Sequence, residues 1–377
     1  MNLFFIGVFF LHALINVYIF YRSWQALPKF QTPRLIFTIV YIFFFTSFVF
    51  AMLGRNTLPL GVQKFLYFVG TTWLAVMLYI TFYLLLTDLI YFLNRFFHYL
   101  PKKWSANPKS FRKIQISIGY GIILLLLITG YFKFTHPVII EQEIVINKSA
   151  GKHKELKVAG ISDIHLGTTV DKKRLAKYVE LINKQKPDIV IIAGDLIDNN
   201  LLPLIKEKMW EELNLLDAPL GVYYCLGNHE YLSGIEPSMD FLQKTNMKIL
   251  IDDACLVDNS LWIIGRDDIH GAGDNRKNLE ELVQLTDTTL PLLLLDHEPY
   301  HLEEAEMNGI DLQFSGHTHN GQLWPLNLIV KQIYEVGYGY KQKGSTHYYI
   351  SSGLALWGPP YRIGTESELV IFNIKFN

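Results

Sequence analysis

Five groups of carboxylate, imidazole and amide side chains occur in order between residues 163 and 319 of the 377-residue sequence. Each group follows a short apolar run, and three of them include a glycine that suits a tight turn. One group alone is weak evidence, but five in order indicate a functional site. The groups are Asp163-Ile164-His165, Gly194-Asp195-Leu196-Ile197-Asp198, Gly227-Asn228-His229-Glu230, His297 and Gly316-His317-Thr318-His319.

These side chains supply nitrogen and oxygen donors without a thiolate, a combination that suits Mn, Fe or Zn better than Cu(I) or an iron–sulfur cluster. Seven or eight such donors are too many for one tetrahedral ion and fit two divalent ions that share a bridging carboxylate. Two ions ~3.5–4 Å apart can clamp both the attacking and the leaving oxygen of a displacement at phosphorus. The pattern therefore indicates hydrolysis of a phosphate ester or anhydride by a metal-activated water.

The apolar runs ahead of these groups are typical of β-strands separated by amphipathic helices. The helix expected over 171–184 places Leu175, Tyr178, Val179 and Ile182 on one face. Strands that alternate with helices imply an α/β domain, and open α/β sheets place their sites at the carboxyl ends of the strands. The strands are predicted at 138–146, 157–161, 188–193, 221–226, 291–295 and 311–314.

The ordered set resembles the hallmark of the calcineurin-like metallophosphoesterase superfamily, which is D-X-H, G-D-X-X-D, G-N-H-E/D, a later His and G-H-X-H. The resemblance covers roughly residues 155–377 and implies a four-layer β-sandwich flanked by helices, with metal-dependent phosphoric ester hydrolase activity. The run at 316–322 resembles G-H-T-H-G-G-Q, with Asn320 in place of a glycine. That run is similar to a membrane-associated bacterial branch, which includes a Gram-positive cell-wall phosphodiesterase and the UDP-diacylglucosamine pyrophosphohydrolases.

The resemblance also implies a role for each position. His229 would not bind metal but would point at the leaving-group oxygen, as a general acid or as a transition-state donor, and Asp198 could orient it. A general acid of this kind contributes ~10²–10⁴-fold. The cofactors would be two divalent metal ions, Mn, Fe or Zn, with Mn preferred. One ion would be held by Asp163, His165, Asp195 and His319, and the other by Asp195, Asn228, His297 and His317, so that Asp195 bridges them.

Four further residues attract notice without a clear role. Arg362 follows a Pro-Pro pair, and it would either grip a second phosphate of the substrate or form a surface salt bridge. His270 is expected to be a loop residue. Trp324 and Trp357 are expected to pack in the core or in an interface rather than to line a substrate groove.

The first third of the chain is far more apolar than the rest, with apolar stretches at 3–20, 35–53, 66–93 and 116–132. Each approaches the ~20 residues that span a bilayer. They predict four transmembrane helices in an all-α region over 1–136, followed by the phosphoesterase domain over 137–377. His12 and Asn16 share one face of the first helix and are expected to form hydrogen bonds between helices, whereas Asp88 is expected to be interfacial.

Basic residues in the loops predict the orientation in the membrane. The second loop holds Arg55 and Lys64, against nine in the first and third loops together. Because cytoplasmic loops carry the excess of Lys and Arg, the protein should be a multi-pass protein of the plasma or inner membrane with its catalytic domain outside the cytoplasm. The nine are Arg22, Lys29, Arg34, Arg95, Lys102, Lys103, Lys109, Arg112 and Lys113.

Composition excludes some partners and leaves others open. The net charge of -1 argues against nucleic acid, and two cysteines cannot form a disulfide framework. The expected partners are a phosphate-ester or pyrophosphate substrate that is lipid-linked or envelope-associated, and membrane lipid. Two alternatives remain, a membrane-held hydrolase of soluble phosphate esters or nucleotides, and a non-catalytic binding platform. An apolar groove beside the metals would favour the lipid substrate, and a closed polar pocket a soluble one.

Overall fold

The computed structural model describes residues 3–55, 57–101 and 108–377. They form two compact units, Met1–Gly130 and Tyr131–Asn377. Three described helices are long and apolar enough to cross a membrane, Gln31–Leu53, Leu60–Phe97 and Phe111–Thr135. The stretch predicted as the first span is also a helix, of 24 residues, but is not in that group. The helices are α1 (Leu3–Ala26), α2 (Gln31–Leu53), α3 (Leu60–Phe97) and α4 (Pro108–Thr135), which continues into the C-terminal unit.

Polar side chains connect the helices of the N-terminal unit, as expected for Asn16 of α1. Its side-chain oxygen accepts hydrogen bonds from Tyr41 of α2 at 3.1 Å and from Trp73 of α3 at 2.9 Å. Asp88 of α3 forms an ion pair with Arg22 of α1. It therefore contacts a neighbouring helix and does not only face the membrane–water interface, as was expected. The predicted loop residues Lys102 and Lys103, and the side chain of Lys109, lie outside the described part of the chain.

The C-terminal unit, all of which is described, is built from strands and short helices. The strands are β1 (Val138–Ile146), β2 (Glu155–Ile161), β3 (Ile189–Ala193), β4 (Val222–Cys225), β5 (Lys248–Leu250), β6 (Asp253–Val257), β7 (Leu261–Gly265), β8 (Leu292–Leu295), β9 (Leu312–Ser315), β10 (Gly339–Lys343), β11 (Thr346–Ile350) and β12 (Glu368–Phe376). The α-helices are α5 (Lys172–Asn183), α6 (Leu202–Lys206), α7 (Trp210–Leu213), α8 (Asn228–Leu232), α9 (Ile235–Leu242), α10 (Ile269–Ala272), α11 (Leu279–Val283), α12 (Leu302–Met307) and α13 (Leu326–Ile333). The six predicted strands correspond to β1–β4, β8 and β9.

The strands form two mixed six-stranded sheets, in the orders β1-β12-β2-β3-β4-β5 and β10-β11-β9-β8-β7-β6. Ile191 of the first sheet packs in one apolar core with Phe314 of the second. Outside the first sheet, α5 is capped at its amino end by Asp171, whose side chain accepts a hydrogen bond from the Arg174 amide at 3.0 Å. On the other side, Leu282 and Leu302 of α11 and α12 pack with β8 of the second sheet. Helix, sheet, sheet and helix layers confirm the predicted four-layer sandwich.

The direction of the strands explains where polar side chains can gather. In the first sheet, β2, β3 and β4 are parallel, and in the second sheet β7, β8 and β9 are parallel. The carboxyl ends of each parallel set therefore meet at one edge of its sheet. The loops that leave these edges carry all five polar groups found in the sequence.

Candidate dinuclear metal site

The seven predicted metal ligands lie together just beyond the carboxyl ends of five strands. Asp163 and His165 follow β2, Asp195 follows β3, Asn228 follows β4, His297 follows β8, and His317 and His319 follow β9. Donor atoms of six of these ligands, together with His229, fall into groups whose members lie within 4.8 Å of one another. These groups are Asp163 with His165 and His319, His165 with Asp195 and His229, and Asp195 with His297 and His317.

The first group surrounds one small space. The Nε2 atoms of His165 and His319 are 3.1 Å apart. His319 Nε2 lies 3.5 Å from Asp163 Oδ1, and His165 Nε2 lies 3.7 Å from Asp195 Oδ2. The four donors predicted for one ion thus face the same point.

The second set of donors lies against the same oxygen of Asp195, Oδ2. His297 Nδ1 donates to the carbonyl of Ala193 at 2.8 Å, which leaves Nε2 as the ring's lone pair. That Nε2 atom is buried 3.2 Å from Asp195 Oδ2 and has no hydrogen-bond partner. On the same side, Asn228 Oδ1 is 3.1 Å from His317 Nδ1. A buried lone pair without a partner is unfavourable, and a metal ion would satisfy it.

The protonation states suit metal binding. Burial holds the pKa values of His165 and His319 well below their usual range, and burial beside His297 lowers the pKa of His317 to about 3. Burial alone would raise the pKa of Asp195, but the neighbouring imidazoles, His297 foremost, hold it well below its usual range. The neutral imidazoles of these three histidines and an ionised carboxylate are forms that bind metals. Burial alone would lower the pKa of His297, but Asp195 outweighs burial and raises it well above its usual value, so a metal ion at this ring would replace a proton. With that exchange, the residues present fit two divalent cations.

The backbone of this site is unusual as well. Asp163, His165, Asp195, His317 and His319 all have left-handed φ angles, between 48° and 69°. Asp and His tolerate this region better than most residues, but it remains sparsely populated. Such conformations cost roughly 1–3 kcal/mol each and cluster at functional sites, because the surrounding fold must hold them. Five of the seven predicted ligands are therefore aimed by a backbone that an ordinary loop would avoid.

His229 lies beside the predicted ligands, and it is held by main-chain contacts. Its Nδ1 donates to the main-chain carbonyl of Asp198 at 2.9 Å, whereas the Asp198 carboxylate is 3.7 Å away. Its amide donates to Asp195 Oδ1 at 2.9 Å. Burial lowers the pKa of His229, but Asp195 and Asp198 outweigh burial and raise it above its usual value. The shortest contact between His229 and Asp198 is therefore made through the Asp198 carbonyl, and it uses Nδ1 rather than Nε2.

Glu230 connects two loops of the site, a role that was not predicted from the sequence. It is completely buried, and its carboxylate accepts hydrogen bonds from the amides of Gly227 at 2.8 Å, Asp195 at 3.1 Å and Ile197 at 2.9 Å. It thus joins the loops after β3 and β4. The sequence contains a signal for this contact, because an acidic residue three positions after the N-cap of a helix often accepts a hydrogen bond from the N-cap amide, here that of Gly227.

The structure corrects the expectations for Arg362 and for the two tryptophans. Arg362 is completely buried and donates to the carbonyls of His319, Ser352 and Ala355, so it forms neither a phosphate grip nor a surface salt bridge. Trp324 and Trp357 are 51% and 49% exposed rather than packed away. The Trp357 ring lies 6.4 Å from the His229 ring. His270, which was expected in a loop, lies in the short helix α10, where it is exposed and its Nδ1 is 2.8 Å from Glu298 Oε1.

Comparison with known proteins agrees with this geometry. Residues 156–321 match the family model described as calcineurin-like phosphoesterase. An uncharacterized metallophosphoesterase of Helicobacter pylori strain J99 is 31% identical over 372 residues, which covers 94% of both chains. A second, from Campylobacter jejuni, is 29% identical over 98% of this chain and 97% of its own. A Danio rerio transmembrane protein with metallophosphoesterase domain is 28% identical over 75% of this chain and 68% of its own. The chain therefore belongs to the calcineurin-like metallophosphoesterase family and is a metal-dependent phosphoester hydrolase.

Proposed function

We propose that this hydrolase cleaves a phosphodiester or a pyrophosphate at two divalent ions, with Mn²⁺ as the preferred metal. The observation that carries the proposal is that one carboxylate lies against a histidine of each proposed set. Asp195 Oδ2 is 3.7 Å from His165 Nε2 and 3.2 Å from His297 Nε2. One ion would be held by Asp163, His165, Asp195 and His319, and the other by Asp195, Asn228, His297 and His317.

The protein residues would then divide the remaining work. When bound, the two ions supply a water of lowered pKa and positive charge beside the phosphoryl oxygens. His229 donates a proton from Nε2 to the leaving oxygen, because its Nδ1 is already occupied by the Asp198 carbonyl. Glu230 keeps the loops after β3 and β4 in register, so that Asp195 and His229 stay in their relative positions.

Apolar side chains exposed close to the site support a lipid-linked substrate. Helix α13 begins seven residues after His319 and contains no buried residue. Its Leu328, Ile329 and Ile333 are 52%, 55% and 58% exposed, and Trp324 just before it is half exposed. Apolar side chains grouped in this way on a water-soluble domain mark contact with lipid or another apolar partner. This surface favours a lipid-linked substrate over a soluble nucleotide.

We also propose that the chain is a multi-pass protein of the plasma or inner membrane with its C-terminal unit outside the cytoplasm. Three helices with the required length and composition support the membrane location. The excess of Lys and Arg in the first and third loops supports the orientation. This orientation requires α1 to cross the membrane together with the other three helices.

The substrate proposal is tested by a matched pair of compounds. Full-length protein in detergent with Mn²⁺ would be assayed on bis-p-nitrophenyl phosphate, p-nitrophenyl phosphate, a lipid-linked pyrophosphate and the same pyrophosphate with a methyl group in place of the lipid. We expect cleavage of the diester, and a kcat/KM for the lipid-linked compound about tenfold or more above its methyl analogue, as burial of a few methylene groups would give. Equal kcat/KM values for the lipid-linked pyrophosphate and its methyl analogue would support a membrane-held hydrolase of soluble substrates. No cleavage by protein that carries two metals per chain would contradict the proposal.

A further inference from the structure

A polar cavity of about 510 Å³ lies inside the N-terminal unit, far along the sequence from the metal ligands. Its volume is in the range of small-ligand sites. The ends of three helices surround it, namely α1, α3 and α4. Its polar lining includes Arg22, Gln25, Asp88, Asn94, Arg112 and Gln115.

The charges of this cavity leave one cation in excess. Two guanidinium groups and one carboxylate line it, which gives a net charge of one positive. Asp88 is occupied, because it pairs with Arg22 and accepts a hydrogen bond from Tyr18 at 2.6 Å. Within the described part of the chain, the half-buried Arg112 has neither an ion-pair partner nor a hydrogen bond. The cavity therefore offers a cation that no described residue neutralises.

Several hydrogen-bond donors that line the cavity also lack a partner among the described residues. Gln115 is only 6% exposed, and its side-chain Nε2 has no partner among the described residues. The Nε atom of Arg22 is likewise buried without a partner. Asn94 uses its oxygen to accept from the Leu100 amide at 2.7 Å, which leaves its NH₂ group free to donate into the cavity. Unused donors around a spare positive charge are complementary to an anion with several acceptor oxygens.

The position of the cavity along the helices indicates its depth. Helix α3 has 38 residues, and at 1.5 Å per residue it extends for about 57 Å, well beyond the ~30 Å hydrocarbon core. The cavity lies toward the carboxyl ends of α1 and α3 and the amino end of α4. These ends flank the basic first and third loops, which the membrane arrangement proposed above would place at the depth of lipid head groups. Basic pockets between transmembrane helices at this level recognise anionic head groups.

We propose that this cavity binds a phosphate group, and that it is a second anion site separate from the metal centre. Arg112 provides the charge, and Gln115 and Asn94 provide neutral donors. A lipid head group and a soluble phosphate ester share this chemistry. The depth of the cavity favours the lipid, and the two sources give different results in the test.

Native mass spectrometry of the full-length protein in non-ionic detergent with EDTA would test the proposal, because EDTA prevents phosphate from binding at metal ions. The probes are phosphatidylglycerol, phosphatidylcholine and glycerol 3-phosphate. Arg112→Gln is compared with Lys113→Gln, which removes the same charge from the next, exposed position of α4. We expect one tightly held phosphatidylglycerol, an about tenfold weaker Kd in Arg112→Gln, and a Kd within twofold of wild type in Lys113→Gln.

A second variant keeps the test decisive if Arg112→Gln does not fold. Gln115→Leu removes an unpartnered donor without a change of charge, and it should weaken phosphatidylglycerol binding severalfold. Binding of glycerol 3-phosphate with the same dependence on Arg112, without selective binding of phosphatidylglycerol, would support the site and identify a soluble source. Equal losses in the Arg112 and Lys113 variants, or no selective binding of any of the three probes, would overturn the proposal.

Discussion

At the residue scale, the surroundings of the free ring nitrogen distinguish a proposed ligand, His297, from the proposed acid, His229. His297 and His229 both donate from Nδ1 to a main-chain carbonyl, that of Ala193 and that of Asp198. Nε2 is therefore the reactive atom in both rings. In His297 this atom lies 3.2 Å from Asp195 Oδ2, where an ion could be shared. In His229 the main-chain amide takes the contact with Asp195, which leaves the ring for the substrate.

Replacing His229 with alanine should remove proton donation and leave the metal centre in place. We expect kcat for bis-p-nitrophenyl phosphate to fall by about 10²–10⁴-fold, with two metals per chain retained. Steady-state kinetics and elemental analysis of the same preparation would measure both. His153→Ala is the matched control, because His153 contacts Asp258 and is in none of the donor groups found among the described residues. Loss of a metal ion from the His229→Ala protein would show that His229 is a ligand instead.

Glu230→Gln should act on the position of the ligands rather than on the chemistry. The amide side chain keeps one acceptor oxygen for three main-chain donors, so at least one buried N–H loses its partner at a cost of about 1–3 kcal/mol. We expect a lower Tm and a Mn²⁺ concentration for half-maximal activity that is raised about tenfold or more. Glu236→Gln, at an exposed position of α9, is the control. A lower Tm with an unchanged Mn²⁺ concentration for half-maximal activity would show that Glu230 stabilises the fold without positioning the metal ligands.

Arg362 shows why some residue-scale predictions fail. An arginine after two prolines is expected at the surface, and only the folded chain brings three main-chain carbonyls around it. Its bond to the His319 carbonyl supports a left-handed residue of the site. The metal ligands were easier to predict, because their types and their order after apolar runs are features of the sequence itself.

At the element scale, the strands that carry ligands were predictable and several others were not. Strands β3 and β8 are buried throughout and end at a turn that begins with Gly or Asp, so their apolar runs are evident. Strand β10 reads Gly-Tyr-Lys-Gln-Lys and lies at a sheet edge, where no apolar pattern is needed. Strand β11 begins with two polar residues, Thr346 and His347, which are nevertheless buried. The sequence therefore lacks the apolar run that would predict this strand. The burial of these two residues depends on partners that only the sheet supplies.

Helix α13 is expected to serve substrate binding without a role in stability. In the double variant Leu328→Gln with Ile329→Gln, both changes fall on side chains that are more than half exposed. We expect kcat/KM for a lipid-linked pyrophosphate to fall about tenfold, since two apolar contacts with the lipid would be lost, whereas hydrolysis of bis-p-nitrophenyl phosphate and the Tm should stay near wild type. Parallel kinetics on both substrates would check this. An equal fall on both substrates would place the helix in the catalytic machinery, and no fall on either would remove its link to lipid.

At the scale of the whole molecule, a compact helical unit precedes a sandwich that contains every proposed catalytic group. The position of the catalytic unit relative to the bilayer was inferred from loop charges, which count only if every span is counted correctly. Helix α1 is the decisive element, since it is not in the group of three clear candidates. With three crossings instead of four, the same charges would be divided differently between the two sides.

C-terminal fusions would determine this orientation. Alkaline phosphatase fused after Asn377 should be active in bacterial cells, and green fluorescent protein at the same point should stay dark if it is exported by the general secretion route. Loops one and three carry nine basic residues against two, which is the asymmetry behind this expectation. A fluorescent fusion with an inactive phosphatase would place the catalytic unit in the cytoplasm.

The central claim, a dinuclear metal centre bridged by Asp195, is tested most directly by metal stoichiometry. Wild type and Asp195→Ala would be loaded with Mn²⁺, desalted and analysed for metal per chain, and each sample would be assayed on bis-p-nitrophenyl phosphate. We expect two ions per wild-type chain and fewer than two in Asp195→Ala, and we expect the variant to hydrolyse the diester roughly 10³-fold more slowly. A variant that keeps both ions and its activity, or an active wild type with a single ion, would contradict it.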